Sequence, residues 1–107
     1  MTGSSDTNRK KSDKVFNEVV GKRIKDMRLS KRLTQTQVAN AIGVTFQQIQ
    51  KYERGTNQVS FKRMLDICKS MDIHYRYFCN CIMDDVKRCI AASNDSITTE
   101  VNDVERS

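Results

Sequence analysis

The sequence predicts an all-α fold, on three observations. Proline is absent from the 107 residues and glycine occurs four times, so few positions interrupt a helix. Apolar residues recur at spacings of three and four along several segments, the period of a helix face. Two Thr-x-x-Gln sequences, at Thr34 and Thr45, are each followed by apolar residues and a glycine, the pattern of capped and terminated helices.

Residues 1–13 are small, polar and charged, and read as a disordered basic arm. A helical period begins at Lys14 and continues to Lys31, with Phe16, Val20, Ile24 and Met27 facing inward. Ser12 or Asn17 is placed to cap its start. Gly21 weakens the interior by about 1 kcal/mol relative to alanine, which predicts fraying of the first turns. Lys22, Arg23, Lys25 and Arg28 form the opposite face.

The second helix runs from Thr34 to Ile42. Thr34 with Gln37 fits a capping box, and Val38, Ala39 and Ile42 make the inward face. Gly43 stands where the chain needs a left-handed residue to stop. Thr45 with Gln48 repeats the box, so a third helix follows at once, from Phe46 to about Arg54, and Gly55 ends it. Two short helices joined by a three-residue turn containing glycine have the helix-turn-helix form, with a plain helical hairpin as the simpler reading. After a loop at 56–59, Ser60 caps a fourth helix, Phe61 to Met71, with Phe61, Met64, Leu65, Cys68 and Met71 inward. A fifth begins near His74.

Charge is unevenly placed. The net charge is +6, and residues 1–33 alone carry ten Lys or Arg against four Asp or Glu. Residues 79–107 carry three against six. A basic front suggests a polyanionic partner, and solubility alone is the plainer account. No segment approaches the ~20 apolar residues of a membrane span. The N-terminus has no apolar stretch of a signal peptide, so the expected location is cytoplasmic. The four cysteines, Cys68, Cys79, Cys81 and Cys89, are then expected as reduced thiols.

RIKDMR (23–28), LTQTQVANAIGVT (33–45), IQKYERG (49–55) and the run from Ser60 through Met71 to Tyr77 and Phe78 together resemble one family. It is that of lambda repressor, Cro and their bacterial XRE-type relatives. The resemblance covers about Val19 to Phe78. It implies a five-helix domain over 14–78 that binds double-stranded DNA, usually as a homodimer, to control transcription, most often as a repressor.

On a helical wheel, Ile49 points inward while Gln47, Lys51 and Arg54 lie near the opposite side, flanked by Gln48 and Gln50. A helix fits the major groove, and long amide and cationic side chains match the hydrogen-bonding edges of bases there. By the resemblance, Phe46, Gln47 and Lys51 occupy positions that read bases, with Gln48 and Gln50 beside them. Phe46 either touches a thymine methyl or packs on the second helix. The resemblance places Gln35 on a phosphate at the N-terminus of the second helix, whose free N–H groups also favour an anion. Thr45, Arg54, Asn57, Lys62 and, less directly, Arg23 are further backbone contacts. Glu53 turns partly inward, where an unpaired carboxylate is costly. Arg28 matches the family position that pairs with it, so an Arg28–Glu53 ion pair is expected to fix the recognition helix.

Beyond Phe78, the residues Cys79, Ile82, Val86, Cys89 and Ser93 continue at three and four, with Ile90 widening the stripe. This predicts a helical extension to about Ala92 that seeks a partner, either its own domain, a second copy or another protein through 79–93. Residues 94–107 read as an acidic tail. Cys79-x-Cys81 near His74 and Cys68 invites a metal reading. Residues two apart on a helix diverge and no second CxxC exists, so no metal or cofactor is expected. A redox-sensing thiol at Cys79, Cys81 or Cys89 has equally little behind it. One histidine and no acid–base constellation argue against an enzyme. An antitoxin, or an adaptor that kept the fold without DNA binding, are the alternative functions.

Overall fold

A computed structural model describes the backbone of residues 2–93 and the side chains of residues 11–92. It contains five helices: α1 (Thr2–Ser30), α2 (Gln35–Ile42), α3 (Phe46–Arg54), α4 (Phe61–Ser70) and α5 (Tyr75–Ser93). Among the described residues there is no strand.

The helix ends follow from local chemistry. At α2, the Thr34 hydroxyl accepts from the Gln37 N–H at 3.0 Å, and the Thr34 N–H donates to Gln37 Oε1 at 2.8 Å, completing the box. At α3, the Thr45 hydroxyl accepts from the Gln48 N–H at 3.2 Å, and the expected return bond from the Gln48 side chain is not formed. Ser60 caps α4 through the Arg63 N–H at 3.1 Å. The first four helices stop on a residue with positive φ: Arg32, Gly43, Gly55 and Asp72. The next N–H then returns to the carbonyl five residues back, from Leu33 to Arg28, Val44 to Ala39, Thr56 to Lys51 and Ile73 to Cys68. Leu33, Val44 and Ile73 drop onto the core from these reversals, so each stop also fixes the direction of the following segment.

The core joins Val20, Ile24 and Met27 of α1, Val38 and Ala39 of α2, and Ile49 and Tyr52 of α3. From the other side come Ile67, Cys68 and Met71 of the α4 region and Phe78 and Ile82 of α5. α1 packs on α3 and α5, α2 on α3 and α4, and α4 on α5. Full burial of residues such as Ile24, Ile49, Ile67 and Phe78 stabilises the fold by roughly 1.5–3 kcal/mol each. Burial pushes the Cys68 thiol up to about 11, with neighbouring Cys79 adding to the effect, so Cys68 is a core residue and a poor nucleophile.

Along α1 and α4 the structure differs from the sequence expectations. α1 begins at Thr2 where a disordered arm was expected through residue 13. Once α1 is nucleated by its packed half, each added residue gains a backbone bond, and the segment contains no proline to stop it. Phe16 is 45% exposed rather than inward, because it lines an open groove between α1 and α5. Phe61 is 63% exposed, and Ile67, not anticipated, takes the central place on α4. Of the partners expected for the α5 stripe, its own domain takes the first part, since Ile82 is buried and Val86 packs against the core. The expected acidic tail, 94–107, and the side chain of Ser93 lie outside the described residues.

Candidate nucleic-acid interface

α3 is buried along one side by Ile49, Tyr52 and Glu53. Its other side carries Gln47, Lys51 and Arg54, all exposed, with Gln48 and Gln50 half-buried between the two. Spacing sets Gln47, Lys51 and Arg54 opposite Ile49, whereas Phe46 shares the face of Ile49 and Glu53 and is exposed at the first turn. The N-cap at Thr45 and the reversal at Gly55 hold the helix to nine residues, so the outward side chains form one short, dense patch.

α3 is fixed from behind by an ionic junction. Arg28 Nε donates to Glu53 Oε2 at 2.6 Å and Arg28 Nη2 to Glu53 Oε1 at 3.0 Å. Arg28 Nη1 donates to the Leu33 carbonyl at 2.9 Å, which ties the α1–α2 turn to the same guanidinium. Both side chains are nearly free of solvent contact. Every polar atom of the pair that would be costly to bury alone thus has a partner.

Gln35, at the first turn of α2, donates from Nε2 to Glu53 Oε1 at 2.9 Å. Its amide is thereby joined to the Arg28–Glu53 pair, leaving one Nε2 hydrogen and the backbone N–H for an outside ligand. This link between Gln35 and Glu53 was not visible in the sequence, where the two stand eighteen residues apart. Thr45 and Lys62 are exposed and Asn57 is half-buried. Lys62 Nζ lies 3.3 Å from Asp66, an exposed pair that a phosphate can displace at little cost.

Arg23, expected as a phosphate contact, is also bonded within the protein. Its Nε and Nη2 donate to Asp85 of α5 at 2.8 and 2.7 Å. Arg88 also donates to Asp85. The hydrogen bond from Arg23 chiefly holds the Asp85 carboxyl below its usual range, and Asp85 in turn raises the Arg23 guanidinium. Arg23 therefore fastens α1 to α5 through Nε and Nη2.

Apolar surface remains between α1 and α5. Val15, Phe16 and Val19 of α1 face Val86, Cys89 and Ile90 of α5 across an open groove of about 360 Å³. Tyr75, Met83 and Ile90 stay exposed along α5. Among the described residues, no three His, Cys, Asp or Glu side chains gather as metal ligands. No helix among them is long and apolar enough to cross a membrane.

Residues 24–78 match a family model described as Helix-turn-helix. An uncharacterized HTH-type transcriptional regulator of Sinorhizobium fredii is 36% identical over 101 residues, covering 94% of this chain and 66% of that protein. An uncharacterized transcriptional regulator in the ATPase CF(0) region of Rhodospirillum rubrum is 48% identical over 59 residues, covering 55% of each chain. The chain thus spans between about half and two thirds of the length of these curated relatives. The restriction-modification controller protein C.AhdI from Aeromonas hydrophila superimposes with a TM-score of 0.56 at 27% identity, over 58% of this chain and 94% of that one. The matched segment runs from the last two turns of α1 through α2, α3 and α4 to the first turn of α5, and on that ground the chain belongs to the lambda repressor-like, XRE-type helix-turn-helix family.

Proposed function

We propose that the protein is a sequence-specific regulator of transcription that binds double-stranded DNA, reading the major groove with α3. The observation that carries this reading is the outward patch of amides and cations on a helix locked from behind by Arg28 and Glu53. Gln47 and Lys51, with Gln48, Gln50 and Phe46 beside them, address base edges. Half-exposed Phe46 offers its ring to a thymine methyl. Gln35, Thr45, Arg54, Asn57 and Lys62 hold phosphates on either side, with the N-terminus of α2 adding partial positive charge. Arg23 takes no part.

The reading assigns the protein to the cytoplasm as a repressor that occupies its site, with no catalytic activity. It pairs with a second copy through the outward apolar positions of α5, Tyr75, Met83 and Ile90. Two copies then present their α3 helices ~34–36 Å apart, one turn of DNA. Selection of duplexes from a random pool, followed by salt titration of the best one, tests the proposal. It predicts a two-fold-related sequence and an affinity that falls steeply with salt. Recovery of no common sequence, with weak and salt-insensitive binding, would contradict it and favour an adaptor.

A further inference from the structure

Gly21 sits in the middle of α1, where a glycine weakens a helix, yet it is buried against the last turn of α3. A Cβ placed there would lie 2.2 Å from the Tyr52 carbonyl oxygen, 2.5 Å from that of Glu53 and 2.8 Å from the Glu53 carbonyl carbon. All three are backbone atoms, which cannot rotate out of the way as a side-chain tip can. The crossing is close from the other side as well. A Cβ on Gly55 would lie 2.8 Å from Glu18 Cα and N. The two backbones touch through a glycine on each.

We infer that Gly21 is a positioning residue for base readout, setting the distance between α1 and the C-terminal turn of α3. This rests on the reading of α3 as the base-reading helix. Any side chain at position 21 needs roughly 1 Å more room than the crossing provides. α1 is the longer helix and is anchored by Ile24, Met27 and the Arg23–Asp85 bonds, so α3 is the element that yields. Its first turn follows α2 by a short connection, with Val44 and Ile49 set in the core, so the motion is a tilt that strains the Arg28–Glu53 bonds near the far end. Lys51 and Arg54 move most, and Phe46 and Gln47 least. Base contacts tolerate about 0.5 Å of misplacement, whereas phosphate contacts by long cationic side chains tolerate more. Gly21 thus acts on sequence preference more than on affinity for DNA as such.

The test is Gly21→Ala in the full chain, beside Ile67→Val, which removes a methyl from the core on α4 and leaves the crossing alone. Thermal melts fix a temperature at which both variants are folded. Each is then titrated with the selected duplex and with a scrambled one. Gly21→Ala is expected to lose at least tenfold in preference for the selected duplex, with relaxed discrimination at the base pairs nearest Lys51. Its binding to scrambled DNA stays within about threefold of the parent, and Ile67→Val keeps the parent preference. A folded Gly21→Ala with the parent's preference overturns the inference. Should Gly21→Ala not fold, Gly55→Asn takes its place, because asparagine tolerates the left-handed backbone at φ 79° and crowds Glu18 from the opposite side. Unchanged preference in that variant overturns the inference equally. A parent protein with no sequence preference overturns instead the reading of α3 on which the inference stands.

Discussion

Arg28 and Glu53 meet between α1 and α3 through two hydrogen bonds, at 2.6 and 3.0 Å, with both side chains almost wholly removed from water. The pair joins the helix that carries the exposed amides to the helix behind it. Removing one member leaves the other charged and buried without its partner. Arg28→Met or Glu53→Leu alone is therefore expected to cost roughly 3–5 kcal/mol in urea denaturation, and the double variant less than the sum of the two. Additive single losses would show that the two side chains do not act as a unit.

The Arg23–Asp85 contact makes stability depend on acid. Asp85 is held below its ordinary range by the bond from Arg23. A carboxyl lowered on folding contributes stability above its unfolded value, near 3.9, and loses it as pH falls through the folded value. Stability should drop below about pH 4 in the parent, and Asp85→Asn should flatten that part of the profile while costing about 1 kcal/mol at neutral pH. A profile in Asp85→Asn that matches the parent below pH 4 would remove the linkage.

The same contact separates Arg23 from the cations proposed to meet DNA. Lys62→Ala should reduce the slope of log affinity against log salt by about 1. Arg23→Ala should leave that slope unchanged and lower the melting temperature. Equal slopes for parent and Lys62→Ala would take Lys62 out of the interface.

Helix α2 depends on its cap. Thr34 satisfies the Gln37 N–H and positions Gln37 to satisfy its own. Thr34→Ala should destabilise the protein by about 1 kcal/mol, and Thr34→Ser by less, both read by thermal unfolding. A loss no greater for alanine than for serine would show that the hydroxyl bond contributes nothing.

The parts of the fold written in local chemistry were legible in the sequence. Caps at Thr34, Thr45 and Ser60 and stops at Gly43 and Gly55 set the limits of α2, α3 and the start of α4, because each depends on residues within a turn. The face of α4 was legible at Met64, Cys68 and Met71, but packing on α2 and α5 centres it on Ile67 and leaves Phe61 exposed. Long-range pairings were hidden. Nothing near Arg23 in the sequence points to Asp85, sixty-two residues on. Gly21 looked like a weak point in α1 because a sequence gives the cost of a glycine without the backbone that lies against it. The outward amides of α3 were legible from spacing, whereas the Arg28–Glu53 pairing came through the family resemblance rather than through periodicity.

The central claim is that α3 reads bases through Gln47 and Lys51, and the most direct measurement is the base preference of Gln47→Ala and Lys51→Ala on the selected duplex and all its single-pair variants. Each substitution is expected to cost about 1–3 kcal/mol on the selected duplex and to relax discrimination at one or two specific base pairs, different for the two residues. If both variants rank the duplexes as the parent does, α3 does not read the sequence.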